Sequence, residues 1–147
     1  MIDLAEQRKK VIRSNYAAFN NGDIDGVLEN LHPEIELVGA DEDGRLNESE
    51  LWQGHEEARR FYDGLRNEIG LQWIEIVSLE TEGEGDTIVA TVWLHGSSDD
   101  QNLEGAVPAV RRHIFDGTLI RRVETYRQGW ELPSFDETDN DPASGPA

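Results

Sequence analysis

Over residues 3–21 the apolar positions Leu4, Val11, Ile12, Tyr16 and Phe19 recur at helical spacing, with Glu6, Arg8, Lys9, Lys10 and Arg13 on the other side. That pattern predicts an amphipathic helix. Asn20-Asn21-Gly22 ends it, because glycine accepts the left-handed position just past a helix, and Asp23 caps a second, short helix through Leu31. His32-Pro33 stops that helix, and Ile35, Leu37 and Val38 read as a short strand. Residues 41–50, rich in acids and carrying Gly44 and Asn47, read as a mobile polar loop. After Trp52-Gln53-Gly54, residues 55–69 place Ala58, Phe61, Tyr62, Leu65 and Ile69 on one stripe, which predicts a third helix. The rest reads as four strands, 71–80, 87–95, 106–115 and 119–127, divided by polar or glycine-bearing turns at 82–86, 96–102 and 116–117. Short turns between successive strands make an antiparallel meander.

Three helices ahead of such a meander give an α+β class: a cone in which a curved antiparallel, overall mixed, sheet wraps the long N-terminal helix. One helix does not fill a curved sheet completely. The open end is therefore expected to leave a concave, largely apolar pocket of the kind that takes a small molecule. Residues 1–130 are expected to form this one domain, because 147 residues suit a single core. Residues 131–147 hold five acids, no base and few apolar groups, so they are expected to be a disordered acidic tail.

Acids outnumber Lys plus Arg by 31 to 13, for a net charge of −18. A polyanion such as DNA or RNA, or an anionic membrane, would be repelled. Lys9 and Lys10 are the only lysines, a balance that suits either a salt-adapted host or a genome that prefers Arg codons. With no cysteine there is no disulfide, thiolate metal site or Cys nucleophile. The charged N-terminus MIDLAEQRKKVIR reads as neither a signal peptide nor a membrane span, so a cytoplasmic protein is expected. No His-x-x-His or His/Asp cluster has metal-ligand spacing, and neither a metal nor another cofactor is expected.

Four fragments, in order, carry a family resemblance. They are residues 16–23 (YAAFNNGD), residues 32–36 (HPEIE), residues 54–58 (GHEEA) with Phe61-Tyr62, and Phe115-Asp116-Gly117 with Ile120-Arg121 and Tyr126. Together they resemble the SnoaL-like branch of the nuclear transport factor 2-like superfamily over roughly residues 5–128. The resemblance implies the cone fold and a menu of functions, among them cyclases, isomerases, dehydratases, epoxide hydrolases and dimerising factors. Ketosteroid isomerase chemistry needs a Tyr, an Asp base and a protonated Asp. Anchored on Gly22-Asp23, those positions fall on Asn15, Gly39 and near Arg111, so that mechanism is not expected. The Asp-Arg-Asp set of an epoxide hydrolase is missing as well: Arg111 has no Asp on the flanking strand faces.

A cyclase-like step asks for an acid/base group in an apolar pocket, and His113 is the candidate. It alternates with Arg111 and Phe115 on one strand face, which the resemblance turns inward. Arg111 would lower the His113 pKa and offer positive charge to an oxyanion or carboxylate. In the competing structural reading, Arg111 pairs with Glu124 or Glu36 across strands and His113 only caps the sheet, though Glu36 and Glu124 better suit outward pairing with Arg121 and Arg122. Asn15 and Tyr16 are each either a polar pocket group or a satisfied core residue. Phe19, Leu37 and Phe61 are expected to line the pocket or to be core, and Trp52 resembles the family's aromatic at the pocket mouth. Trp73, Trp93 and His95 suit the outer sheet face, hence a homodimer contact. The expected ligand is a compact, mostly apolar, oxygen-bearing molecule, met by cofactor-free isomerase, cyclase or dehydratase chemistry; the alternative is a non-catalytic dimeric module.

Overall fold

The computed structural model describes residues 3–40, 45–68, 70–83, 86–96 and 106–127. Helix α1 spans Leu4–Asn20, α2 Ile24–Glu29 and α3 Gly54–Asn67, and the strands are β1 Leu31–Ala40, β2 Leu46–Gln53, β3 Leu71–Glu82, β4 Thr87–Gly96, β5 Ala106–Asp116 and β6 Leu119–Arg127. The six strands form one curved sheet in the order β2-β1-β6-β5-β4-β3. Every neighbouring pair is antiparallel except β1 and β6, which run parallel. The α+β cone with three helices among the described residues is therefore the architecture. No helix of the described residues is long and apolar enough to cross a membrane. The expected disordered tail and much of the expected 96–102 turn lie outside the described residues.

The cap chemistry places the helices. Asp3 accepts a hydrogen bond from the Glu6 amide at 2.8 Å and Asp23 one from the Gly26 amide at 3.0 Å. At the end of α1, the Gly22 amide reaches the Phe19 carbonyl at 2.9 Å and the Asp23 amide the Ala18 carbonyl at 2.8 Å, with Gly22 at φ 76°. That is a Schellman closure, and its positive φ is why a glycine stands there.

Helix α1 lies across the concave face. Its start is tied to the β5–β6 turn, where Arg8 Nε donates to the Gly117 carbonyl at 2.9 Å, and its end is tied to β3, where the Asn20 amide exchanges two hydrogen bonds with Ile74 at 2.8 and 3.0 Å. Arg8 was expected on the polar face but is buried, with its guanidinium 5.5 Å from the Phe115 ring centroid, while Leu4 is exposed. A long aliphatic stem can occupy an apolar stripe if its charged head finds a carbonyl and an aromatic face.

The expected loop over residues 41–50 is corrected for its second half, which is strand β2 paired with β1 through Leu37–Trp52 and Val38–Leu51. None of its residues is fully buried, and an edge strand commonly carries charge against further pairing, so its polarity hid it. Leu31, expected to close α2, opens β1 instead.

The two sheet faces differ sharply. Inside, Ile12, Tyr16, Phe19, Ile35, Leu37, Tyr62, Ile88, Ala109 and Ile120 form one buried core. Outside runs a ladder of ion pairs: Glu36 with Arg122 (2.8 Å), Arg122 with Glu124 (2.8 Å), Glu124 with Arg112 (2.5 Å) and Arg112 with Glu82 (2.8 Å). Glu36 and Glu124 thus face outward, as their spacing suggested.

Candidate functional site

Strand β5 alternates, so Ala109, Arg111, His113 and Phe115 point into the cone while Arg112 joins the outer ladder. Arg111 and His113 meet Tyr16 from α1. The Tyr16 hydroxyl lies 2.8 Å from His113 Nε2, and Arg111 Nη1 donates to the same hydroxyl oxygen at 3.2 Å. Arg111 Nε donates to Thr125 Oγ1 at 3.2 Å, and the Tyr62 hydroxyl of α3 is close enough to the guanidinium to act on its charge. His113 Nδ1 faces the Ile88 carbonyl at 3.4 Å. All of these side chains except Thr125 are buried, with Arg111 only 3% exposed and His113 1%.

Burial costs a charged imidazole its hydration, and the Arg111 charge beside it adds repulsion. His113 is consequently pushed down to about 3 and stays neutral. Tyr16 is pushed up to about 12, first by burial and against the pull of Arg111. Among the described residues no carboxylate lies within 4 Å of Arg111; its partners are the Tyr16 and Thr125 hydroxyls and the Tyr16 ring, whose centroid is 5.3 Å from the guanidinium carbon. The cross-strand pairing of Arg111 with Glu124 or Glu36 does not occur, because those acids serve Arg112 and Arg122 on the opposite face.

The other residues singled out from the sequence separate into core and rim. Asn15 donates to the Val27 carbonyl at 2.9 Å and joins α1 to α2. Phe19 and Leu37 are fully buried, and Phe19 packs on Tyr62 at 5.9 Å between centroids. Trp52 and Phe61 are half-buried and pack on each other at 5.8 Å. They line, with Leu65, Glu50, Arg60, Asp63 and Glu68, a groove of about 500 Å³ beside α3. None of Tyr16, Arg111 or His113 lines it. Among the described residues no three His, Asp or Glu come together as metal ligands would.

Tyr62 and Thr125 were not singled out as site residues. Tyr62 sits at the centre of the Ala58–Leu65 stripe, and Thr125 falls opposite Arg111 only because the β5–β6 register shifts by one residue between Ile114 and Phe115; counted from the Asp116-Gly117 turn alone, Glu124 would stand there. Both signals existed, but each needs a rotation or a bulge that only coordinates supply. On the convex face, Trp73 stacks on His95 with centroids 4.1 Å apart and planes 5° from parallel, and His95 contacts Glu75 at 2.9 Å.

Comparison with known proteins places the fold. The structure of Bal32a from a soil-derived mobile gene cassette is similar, with TM-score 0.73 at 15% identity, covering 86% of this chain and 93% of that one. A protein of unknown function with a cystatin-like fold from Methylobium petroleophilum PM1 gives 0.69 at 15% identity, with 92% and 84% covered. A protein from Jannaschia sp. CCS1 assigned as a SnoaL-like polyketide cyclase gives 0.65 at 17% identity, with 87% and 90% covered. No curated protein matches the sequence. Residues 12–125 match the SnoaL-like domain family, and with most of the chain so matched on this cone, the protein belongs to that family.

Proposed function

We propose that this SnoaL-like domain binds a compact, mostly apolar small molecule and receives an anionic or carbonyl oxygen of it at Arg111. The supporting observation is the guanidinium itself, which is buried inside the cone with hydroxyl partners and no described carboxylate. Burying a cation without a counter-charge costs several kcal/mol, a cost that a binding site carries and a purely structural position rarely does. Toward the start of β5 the inner face is apolar: Ala109 and Val107 stand opposite Val92 and Leu94, with Val107 and Leu94 half-buried. That wall suits the ligand's hydrocarbon body. A cyclase, isomerase or dehydratase-type step would use Arg111 to stabilise an enolate oxygen. His113 is placed to hold Tyr16, since both of its ring nitrogens already face protein groups.

The test replaces Arg111 by an uncharged chain of similar length. Arg111→Met should remove binding of small carboxylates, read by calorimetry, while the melting temperature holds or rises, because an uncompensated buried charge is lost. A large fall in melting temperature with binding retained would make Arg111 a structural residue.

A second proposal concerns association. Trp93 (39% exposed), Trp73 (43%) and Val77 (54%) lie exposed on the convex side of β3 and β4, a face that suits a second copy of the chain. Sedimentation should give twice the chain mass, and Trp93→Asp should give the monomer with carboxylate binding intact; a wild-type monomer would end this reading.

A further inference from the structure

The hydrogen bonds around Tyr16 have a direction, and the groups at the two ends of the chain set it. At one end the Ile88 carbonyl can only accept, so the proton of the neutral His113 ring sits on Nδ1, 3.4 Å away. His113 Nε2 is then bare and must accept, and its partner at 2.8 Å is the Tyr16 hydroxyl. The phenol hydrogen therefore points at His113. At the other end Arg111 can only donate, and its Nη1 reaches the Tyr16 oxygen at 3.2 Å. Arginine, phenol, imidazole and carbonyl thus form one polarised row, Arg111 to Tyr16 to His113 to Ile88.

The row decides what the centre can offer a visitor. Tyr16 has no hydrogen left to give outward. The guanidinium has five N–H groups, of which the hydrogen bonds to Tyr16 and Thr125 engage two. The part of the guanidinium that these bonds leave over therefore carries charge and donors, with no carbonyl or carboxylate among the described partners of Arg111 to receive a hydrogen.

Resting on the anion-receptor reading above, we infer that the centre selects a ligand head that only accepts, a carboxylate or enolate, against the hydroxyl or ammonium of the same hydrocarbon body. His113 is a positioning residue: by taking the Tyr16 hydrogen it leaves the guanidinium as the donor that makes this choice. The depressed basicity of His113 and the raised pKa of Tyr16 keep that proton on the phenol, so the pair orients and does not relay.

Two measurements on the full chain test this. Long-range proton–nitrogen NMR should find His113 protonated at Nδ1 and bare at Nε2, with no change between pH 6 and 8; a proton on Nε2 reverses the row and overturns the inference. Titration with cyclohexanecarboxylate, cyclohexylmethanol and cyclohexylmethylamine should rank the carboxylate tightest by about tenfold or more, the scale of one charge-assisted hydrogen bond. His113→Gln, whose side-chain oxygen can accept from Tyr16, should keep the ranking, and His113→Phe, which frees the Tyr16 hydrogen to turn to the ligand as a further donor, should widen it; a narrower ranking would overturn the role given to His113. If the probes bind without preference, the inference fails and the receptor reading stands. If none of the three binds, the receptor reading itself fails.

Discussion

Histidine is ordinarily the residue whose charge changes near neutral pH, and burial beside Arg111 takes that property from His113. Its value falls from 6.5 to about 3, with desolvation the larger cause and the Arg111 charge the second. Below pH 6.5 the unfolded chain accepts a proton that the folded chain refuses, so stability falls as pH drops toward 3 and is unaffected above 6.5. The slope from one such group is about 1.4 kcal/mol per pH unit. Urea unfolding of the wild type and of His113→Gln between pH 6 and pH 4 should differ by roughly one proton's worth of slope. Equal slopes would mean that the folded imidazole takes up its proton normally. Alternation along β5 brought Arg111 and His113 onto one face in the sequence, and the family resemblance was needed to turn that face inward. That Tyr16 would sit between them was not readable, because it depends on where α1 crosses the sheet.

Among the elements, the outer ladder shows how much of the charge is structural. Glu124 is 7% exposed and serves both Arg112 and Arg122, each of which has a second acid, Glu82 or Glu36. Glu124→Gln should therefore cost about 1–2 kcal/mol in chemical denaturation, less than a fully orphaned buried charge because the arginines keep one partner and some solvent. Arg121, at 3.8 Å from both Glu34 and Glu36, should cost under about 0.5 kcal/mol when changed to Ala. Element boundaries were legible wherever a periodic stripe ended in a glycine, an Asp cap or a tight turn, as at Gly22-Asp23 and Asp116-Gly117. Strand β2 was hidden because an edge strand with no fully buried residue and several acids has the composition of a loop. The parallel neighbour of β1 was hidden for a different reason: nothing local in residues 31–40 encodes pairing with the last strand.

For the whole molecule, a charge of −18 works against any anion reaching Arg111. Salt shortens the reach of that repulsion, from a Debye length of about 30 Å at 0.01 M to about 8 Å at 0.15 M, while the buried guanidinium is little screened. Binding of cyclohexanecarboxylate should accordingly tighten as salt rises over that range, the reverse of an exposed ion pair. Calorimetry at the two salt concentrations checks it, and weakening with salt would place the anion at the surface. The order of the strands carries a consequence for how the protein is made. Leu31 pairs with Ile120 and Glu36 with Arg122, so the first strand to leave the ribosome has, along one edge, no partner until the final one emerges. Arg111 likewise waits for Thr125. A nascent chain halted before β6 would carry an open backbone edge along β1 and would lack the Thr125 partner of Arg111, so the proposed anion site can form only once β6 has been made.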